Sequence, residues 1–292
     1  MNLSGVLFFP VTPFAPSGEP AVDVLAEHIG RGLEHGPGAV FAACGTGEFA
    51  ALSEAEHATV VRVATETARG RAPVFAGAGG PLGAALNQAA AARDAGADGL
   101  LLMPPYLSKG THEGFVAYVR AVAAILPVIV YQRDNVVLTP AQVVELARVP
   151  GVIGLKDGLG DIDLMQRIVL AVRREVGDDF TFFNGLPTAE LTMGAYRGLG
   201  IELYSSAAFA FAPDLATAYL NGAHHLLTEF YEPLVRLRAK VPGYAVALVK
   251  AGVRLGGLAA GPVRAPLVDA SPEDVAELEA LIKHGRSVVG TS

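Results

Sequence analysis

Tryptophan is absent from the sequence, and cysteine occurs once, as Cys44. A lone cysteine excludes an intrachain disulfide and a cysteine-built zinc centre, and it suits a reducing cytoplasm. Charge is also sparse. Only 17% of the 292 residues are charged, and the 29 acidic side chains outnumber the 22 lysines and arginines, for a net charge of -7. No basic face is evident to neutralise phosphates, so nucleic acid is not an expected partner. Long apolar runs are missing too. Although 51% of residues are hydrophobic, alanine supplies much of that share, and no run reaches the ~20 apolar residues a membrane span requires. The N-terminus, MNLSGVLFFPVTPF, lacks the basic start and long apolar stretch of a secretory signal, and Pro10 and Pro13 interrupt it. The expectation is a cytoplasmic protein with no membrane partner.

What is present is a repeating pattern of short apolar runs, each followed by a helical stretch. Strands are predicted at 5–10, 39–44, 73–78, 99–103, 127–131, 152–156, 180–184 and 201–205. Runs that are apolar on both faces indicate buried parallel strands. Helix starts are marked by Ser53 with Glu56, and by Thr139 with Pro140 and Gln142. Gly70, Gly96 and Gly177 stand where helices should stop. Strand and helix alternating eight times predict a (β/α)8 TIM barrel over residues 1–222. An open doubly wound sheet is the weaker alternative, because no GxGxxG follows the first strand. After residue 222 the strand signals cease. AHHLLTEFYEPLVRLRAK, YAVALVKAGVRLGG and the segment from Ser271 predict a C-terminal helical region, 223–292, packed on the barrel.

In such a barrel the reactive side chains stand at the C-terminal ends of strands. Of the five lysines, Lys109, Lys156, Lys240, Lys250 and Lys283, only Lys156 ends an apolar strand, VIGLK. If it points into the barrel, alternation points Gly154 and Val152 inward and Ile153 and Leu155 outward. A desolvated lysine there has a lowered pKa and a nucleophilic amine suited to a ketone. The competing reading is a structural lysine paired with Asp157. Lys250, in a helical segment, reads as a lysine whose stem covers apolar surface. Tyr131 ends the preceding strand and can shuttle protons beside that amine; a core tyrosine is its plainer role. Gly45 and Thr46 offer backbone and hydroxyl donors to a carboxylate, or simply make a tight turn that Glu48 holds. AGAGG at 76–80 lacks the lysine of a phosphate loop and reads as a barrel turn. None of the seven histidines falls at a predicted strand end, and His224-His225 reads as a helical dipeptide, so no metal site is expected. Asp157, Asp161 and Asp163 offer Mg²⁺ ligands, but Asp161 more simply caps a helix.

The ordered set FPVTPF (9–14), ACGTGEF (43–49), AGAGG (76–80), PPYL (104–107), YQRDN (131–135), GLKDGLGD (154–161), NGLPTAE (184–190), YSSAAF (204–209), GYAVALVKAG (243–252) and AGPVRAPL (260–267) resembles the dihydrodipicolinate synthase / N-acetylneuraminate lyase superfamily of barrel aldolases, over essentially the full length. Within it the chain is similar to the branch that dehydrates and decarboxylates a deoxy keto sugar diacid. The resemblance implies a Schiff base at Lys156 with Tyr131 beside it, and a carboxylate cradle at Gly45 and Thr46. It also implies a small keto sugar diacid as substrate, no metal or organic cofactor, and a homotetramer. Arg133, Asn135, Asn184 and Ser206 are candidate donors to the distal carboxylate and hydroxyls. There are departures. The synthase has two threonines where Gly45-Thr46 stands and a second tyrosine where Leu107 stands, groups of its proton relay, so that relay is broken here; its arginine is also displaced, position 136 being Val136, with Arg133 closer to Tyr131. Gln132 replaces the asparagine usual in the dehydratase branch. A retro-aldolase yielding pyruvate and a non-catalytic keto-acid-binding paralogue are the alternatives, the latter disfavoured by retention of both Lys156 and Tyr131.

Overall fold

The computed structural model describes residues 3–106 and 110–290; the departure read at Leu107 lies outside them. Eight strands, β1 (Val6–Phe8), β2 (Ala39–Ala42), β3 (Val74–Ala78), β4 (Gly99–Leu102), β5 (Val128–Gln132), β6 (Val152–Asp157), β7 (Thr181–Asn184) and β8 (Leu203–Ser206), pair in parallel in chain order. β8 pairs back to β1, so the sheet closes into a barrel. Eight helices alternate with them: α1 (Val22–Leu33), α2 (Glu54–Ala68), α3 (Leu82–Asp94), α4 (His112–Ala123), α5 (Pro140–Ala147), α6 (Ile162–Glu175), α7 (Ala189–Gly198) and α8 (Pro213–Leu220). The (β/α)8 expectation is met, and each predicted strand is found within a residue or two of its observed ends.

The helix punctuation is local chemistry. Ser53 and Thr139 each accept a hydrogen bond from the backbone three residues on, and Glu56 and Gln142 return one to the cap backbone. Asp161 caps α6 by accepting from the Leu164 amide. Gly70, Gly96 and Gly177 have φ of 74°, 82° and 122°, the left-handed geometry that ends a helix at little cost for glycine.

Both strand faces are apolar because both are covered. The inner face carries Leu7, Phe41, Phe75, Leu101, Ile129 and Phe183, which form one cluster inside the barrel. The outer face packs against the helices in a second, larger cluster. Phe41 lies at the centre of the inner one, stacked on Phe9 (4.6 Å, 14°) and Phe75 (4.9 Å, 10°). One strand departs from strict alternation. Val128 pairs with Val152, but the next residue, Ile129, pairs with Gly154, leaving Ile153 as an extra residue in β6. Such a bulge flips the faces of everything before it. Val152 therefore packs with the outer cluster and Ile153 with the inner one, opposite to the simple alternation. Lys156, beyond the bulge, keeps its inward direction.

After α8 the chain forms a π-helical turn (Leu227–Tyr231), α9 (Glu232–Arg238), α10 (Tyr244–Leu255) and α11 (Pro272–Val289). His224 and His225 lie in the turn before these helices rather than in one, because Gly222, at φ 110°, has already broken the chain direction. α11 packs on α8 and α10, and α10 meets the 3-10 turn Ala208–Ala210 that follows β8. No described helix is long and apolar enough to cross a membrane.

Candidate active site

At the C-terminal mouth of the barrel lies a cavity of about 260 Å³ whose wall includes Gly45, Thr46, Tyr131, Arg133 and Lys156. Five of the eight residues singled out in the sequence thus meet in one place. Lys156 is 7% exposed, and its Nζ lies 4.3 Å from the Phe9 ring centre, 4.4 Å from that of Tyr131 and 5.5 Å from that of Phe183. Among the described residues no carboxylate pairs with it. Asp157 lies on the opposite face of β6, where Gln132 and Tyr196 donate to its carboxylate, so the structural ion pair weighed for Lys156 does not form. Burial among aromatic rings disfavours the ammonium and lowers the Lys156 pKa from 10.5 to about 7; the nearby Cys44 opposes the shift slightly and Arg133 adds to it. Cys44 remains a thiol, since burial pushes its own pKa up to about 12.

Tyr131 donates its phenolic hydrogen to the Gly185 carbonyl (3.1 Å) and accepts from Arg133 Nη1 (3.3 Å). Burial raises its pKa, and Arg133 partly offsets the rise. The phenol is therefore held protonated at neutral pH, suited to passing a proton rather than standing as a phenolate. Arg133 is aimed by a tight turn: Val136 N–H bonds the Arg133 carbonyl at 3.0 Å, with Asp134 at φ 53°, a left-handed conformation that aspartate tolerates better than most residues. Asp134 also pairs with the Arg133 guanidinium at 3.2 Å.

The loop after β2 is clamped from below. Thr12 Oγ1 donates to the Gly47 carbonyl (2.7 Å), and Glu48, itself at φ 58°, is buried. Its carboxylate meets Lys250 Nζ of α10 at 2.7 Å and accepts from the Arg264 amide at 2.8 Å. Lys250 is fully buried, donates to the Pro262 carbonyl and lies 4.1 Å from the Phe14 ring centre. Glu48 thus holds the turn as read from the sequence, whereas Lys250 is half of a buried ion pair and not a stem over apolar surface. Above this clamp Gly45 has open space where a side chain would begin, and the Thr46 hydroxyl bonds no described residue.

Asn135, Asn184 and Ser206 do not line this cavity. Asn135 donates to the Pro105 carbonyl (2.8 Å) and borders a separate groove beside α4. On β7 it is Phe183 that pairs with Lys156 and faces inward, so Asn184 points to α7, donating to Ala189 O and Thr192 Oγ1 and accepting from Leu186 N. On β8 the inward residue is Ser205, which lines the cavity; Ser206 faces out and donates to the buried Glu190. The same two-residue period that fixed Lys156 marks Ser205 over Ser206. The sequence reading also missed Arg238, at the end of α9, which lines the cavity from the C-terminal helices. No strand-end rule points to it.

A closed parallel barrel with a desolvated lysine and a protonated phenol at the C-terminal mouth defines the class: (β/α)8 enzymes whose chemistry sits on strand ends and the loops beyond. The profile of the dihydrodipicolinate synthetase family matches residues 2–285, and the chain belongs to that family. It is 56% identical to the probable 5-dehydro-4-deoxyglucarate dehydratase 1 of Streptomyces coelicolor, over 98% of this chain and 94% of the relative. To the probable 5-dehydro-4-deoxyglucarate dehydratase 1 of Streptomyces avermitilis it is 55% identical, over 98% and 95%. Among solved structures, dihydrodipicolinate synthase from Oceanobacillus iheyensis superposes with a TM-score of 0.86 at 28% identity, covering 98% of this chain and 97% of that one.

Proposed function

We propose that the protein is a Schiff-base lyase that converts 5-dehydro-4-deoxyglucarate to 2,5-dioxopentanoate, CO2 and water. The observation that carries this reading is the Lys156 amine, set among rings and paired with no described carboxylate, with a pKa of about 7, at the wall of a cavity that also holds the Gly45–Thr46 turn. Identity of about half the residues to relatives bearing that activity in their names supports the substrate.

In this reading Gly45 and Thr46 bind the carboxylate beside the ketone, and Lys156 attacks the keto carbon. Tyr131 gives a proton to the departing carbinolamine oxygen, which leaves as water, and an iminium remains. The iminium acidifies the neighbouring CH2. Tyr131, directly or through a water it holds, moves that proton, and the β-hydroxyl leaves with it as water. The conjugated iminium now reaches the carbon bearing the distal hydroxyl and carboxylate. The bond to that carboxylate breaks, its electron pair flows toward nitrogen, and CO2 departs. Protonation of the dienamine, tautomerisation of the enol to an aldehyde and hydrolysis of the imine free the product and the amine. One water is used to release Lys156 and one is returned on its capture, so the net release is one water and one CO2. Arg133 supports the phenol, and Ser205 takes the hydroxyl-binding place first read for Ser206. The unit is proposed to work as a homotetramer, with residues 223–292 as a helical region closing one side of each barrel mouth.

The test is incubation with 5-dehydro-4-deoxyglucarate beside a Lys156→Ala control. CO2 and 2,5-dioxopentanoate in equal amounts, absent in the control, support the reading. Pyruvate instead moves the protein to the retro-aldolase class, and no turnover with either enzyme form rejects both.

A further inference from the structure

Three cationic side chains line the cavity, Lys156, Arg133 and Arg238, and no aspartate or glutamate does among the described residues. They are not equivalent. The Lys156 amine is the nucleophile in the reading above. Arg133 already has an oxygen partner in Tyr131 and a carboxylate partner in Asp134. Arg238 has neither: it makes no hydrogen bond or ion pair with any described residue, although it is half-buried. Burial lowers its pKa and the Glu190 charge opposes the shift, but no hydrogen bond or ion pair joins the two, and Glu190 Oε1 accepts from Ser206. A guanidinium drawn out of water without a hydrogen-bonded partner is unfavourable unless a ligand supplies one.

Its place in the fold says which charge. Gly45 and Thr46 follow β2. Arg238 ends α9, next to the π-helical turn that packs on α7, and it shares the cavity wall with Gly185 and Pro187 after β7 and Ser205 of β8. Two groups able to bind an anion therefore line one small cavity from different elements, the loop after β2 and the end of α9, with the Lys156 amine in the same wall. That arrangement fits a molecule with a carboxylate at each end. A 2-oxo monoacid would leave Arg238 unanswered.

We infer that Arg238 binds the carboxylate remote from the ketone and so selects 2-oxo diacids over 2-oxo monoacids. This deepens the proposed function and rests on it. A planar guanidinium is suited to the task because it can hold a carboxylate through two parallel N–H bonds.

The experiment compares two six-carbon acids that differ only at the far end, 2-oxoadipate and 2-oxohexanoate, by titration calorimetry on the full-length protein. The unsubstituted protein is expected to hold the diacid more tightly. Arg238→Gln is expected to weaken 2-oxoadipate by roughly 10–100-fold, the range of a charged hydrogen-bonded contact, while 2-oxohexanoate changes by less than about threefold. Arg238→Lys, which keeps the charge and loses the fork, should fall between, and it serves in place of Arg238→Gln if that variant melts early. Equal affinity of the unsubstituted protein for the two acids, or equal weakening of both by the substitutions, overturns the assignment of Arg238 and leaves Lys156 untouched. Failure of the unsubstituted protein to bind either acid overturns the Lys156 reading, and the Arg238 assignment with it.

Discussion

Gly185 packs its bare Cα against the stem of Lys156: a methyl group there would stand 2.3 Å from both Cγ and Cε of the lysine. The same residue's carbonyl receives the Tyr131 hydroxyl. One backbone position thus sets the lysine and the phenol relative to each other. Gly158 serves Tyr131 in the same way, since a Cβ at 158 would fall 2.7 Å from the Tyr131 ring.

Gly185→Ala must therefore push the lysine aside. Misplacement of a reacting atom by about 1 Å costs on the order of 100-fold in rate, and kcat of Gly185→Ala is expected to drop by at least that much. Gly45→Ala is the contrast: with nothing within 4 Å of its Cβ, it should keep its melting temperature, and its added methyl should raise KM. Steady-state kinetics and thermal melts on the two variants separate the effects.

The lowered Lys156 pKa has a consequence for stability as well as for rate. In the unfolded chain the amine titrates near 10.5 and in the folded protein near 7. Folding is thus penalised most below about pH 7, where both states are protonated, and the penalty fades as pH rises from 7 toward 10.5. Lys156→Met should be inactive and more stable than the parent by on the order of a few kcal/mol at pH 6. The gain should shrink at pH 9.5, as measured by denaturant unfolding at the two pH values. A gain that grows with pH would place the lysine outside the desolvated site.

Tyr131→Phe keeps the ring against the amine and removes the hydroxyl. The expected loss in kcat is roughly 100- to 10,000-fold, the range of a positioned proton-transfer group. Imine formation should survive at a reduced rate, because the attacking amine is untouched. Unchanged kcat would remove Tyr131 from the proton path and return it to the core.

The buried Glu48–Lys250 pair ties the loop after β2 to α10. Removing one partner leaves the other charged and buried, and such breaks cost about 3–5 kcal/mol. Lys250→Met is expected to lower stability by that amount, and Glu48→Gln combined with Lys250→Met should recover much of it. Thermal unfolding of the single and double variants reads the difference.

Most of the architecture was legible in the sequence because it rests on local signals: two-sided apolar runs for buried strands, capping residues for helix starts, glycines for helix stops. Lys156 was legible for a related reason, being the lone lysine at the end of such a run. Asn184 and Ser206 stand at strand ends but face away from the cavity, because the two-residue period gives the inward positions to Phe183 and Ser205. The swap of Val152 and Ile153 comes from a bulge, which depends on how β5 and β6 register and leaves no trace in β6 alone. Arg238 was invisible because helices remote in sequence bring it to the barrel mouth by tertiary packing.

The Lys156 amine is expected to form a covalent imine with a 2-oxo acid. Borohydride reduction in the presence of 2-oxoadipate, followed by peptide mass spectrometry across pH 5–9, tests it most directly. A single reduced adduct is expected on the peptide bearing Lys156, with an initial trapping rate that climbs as pH rises through about 7 and then levels off, and no adduct in Lys156→Ala. An adduct on Lys250 or another lysine, or none at any pH, would contradict it.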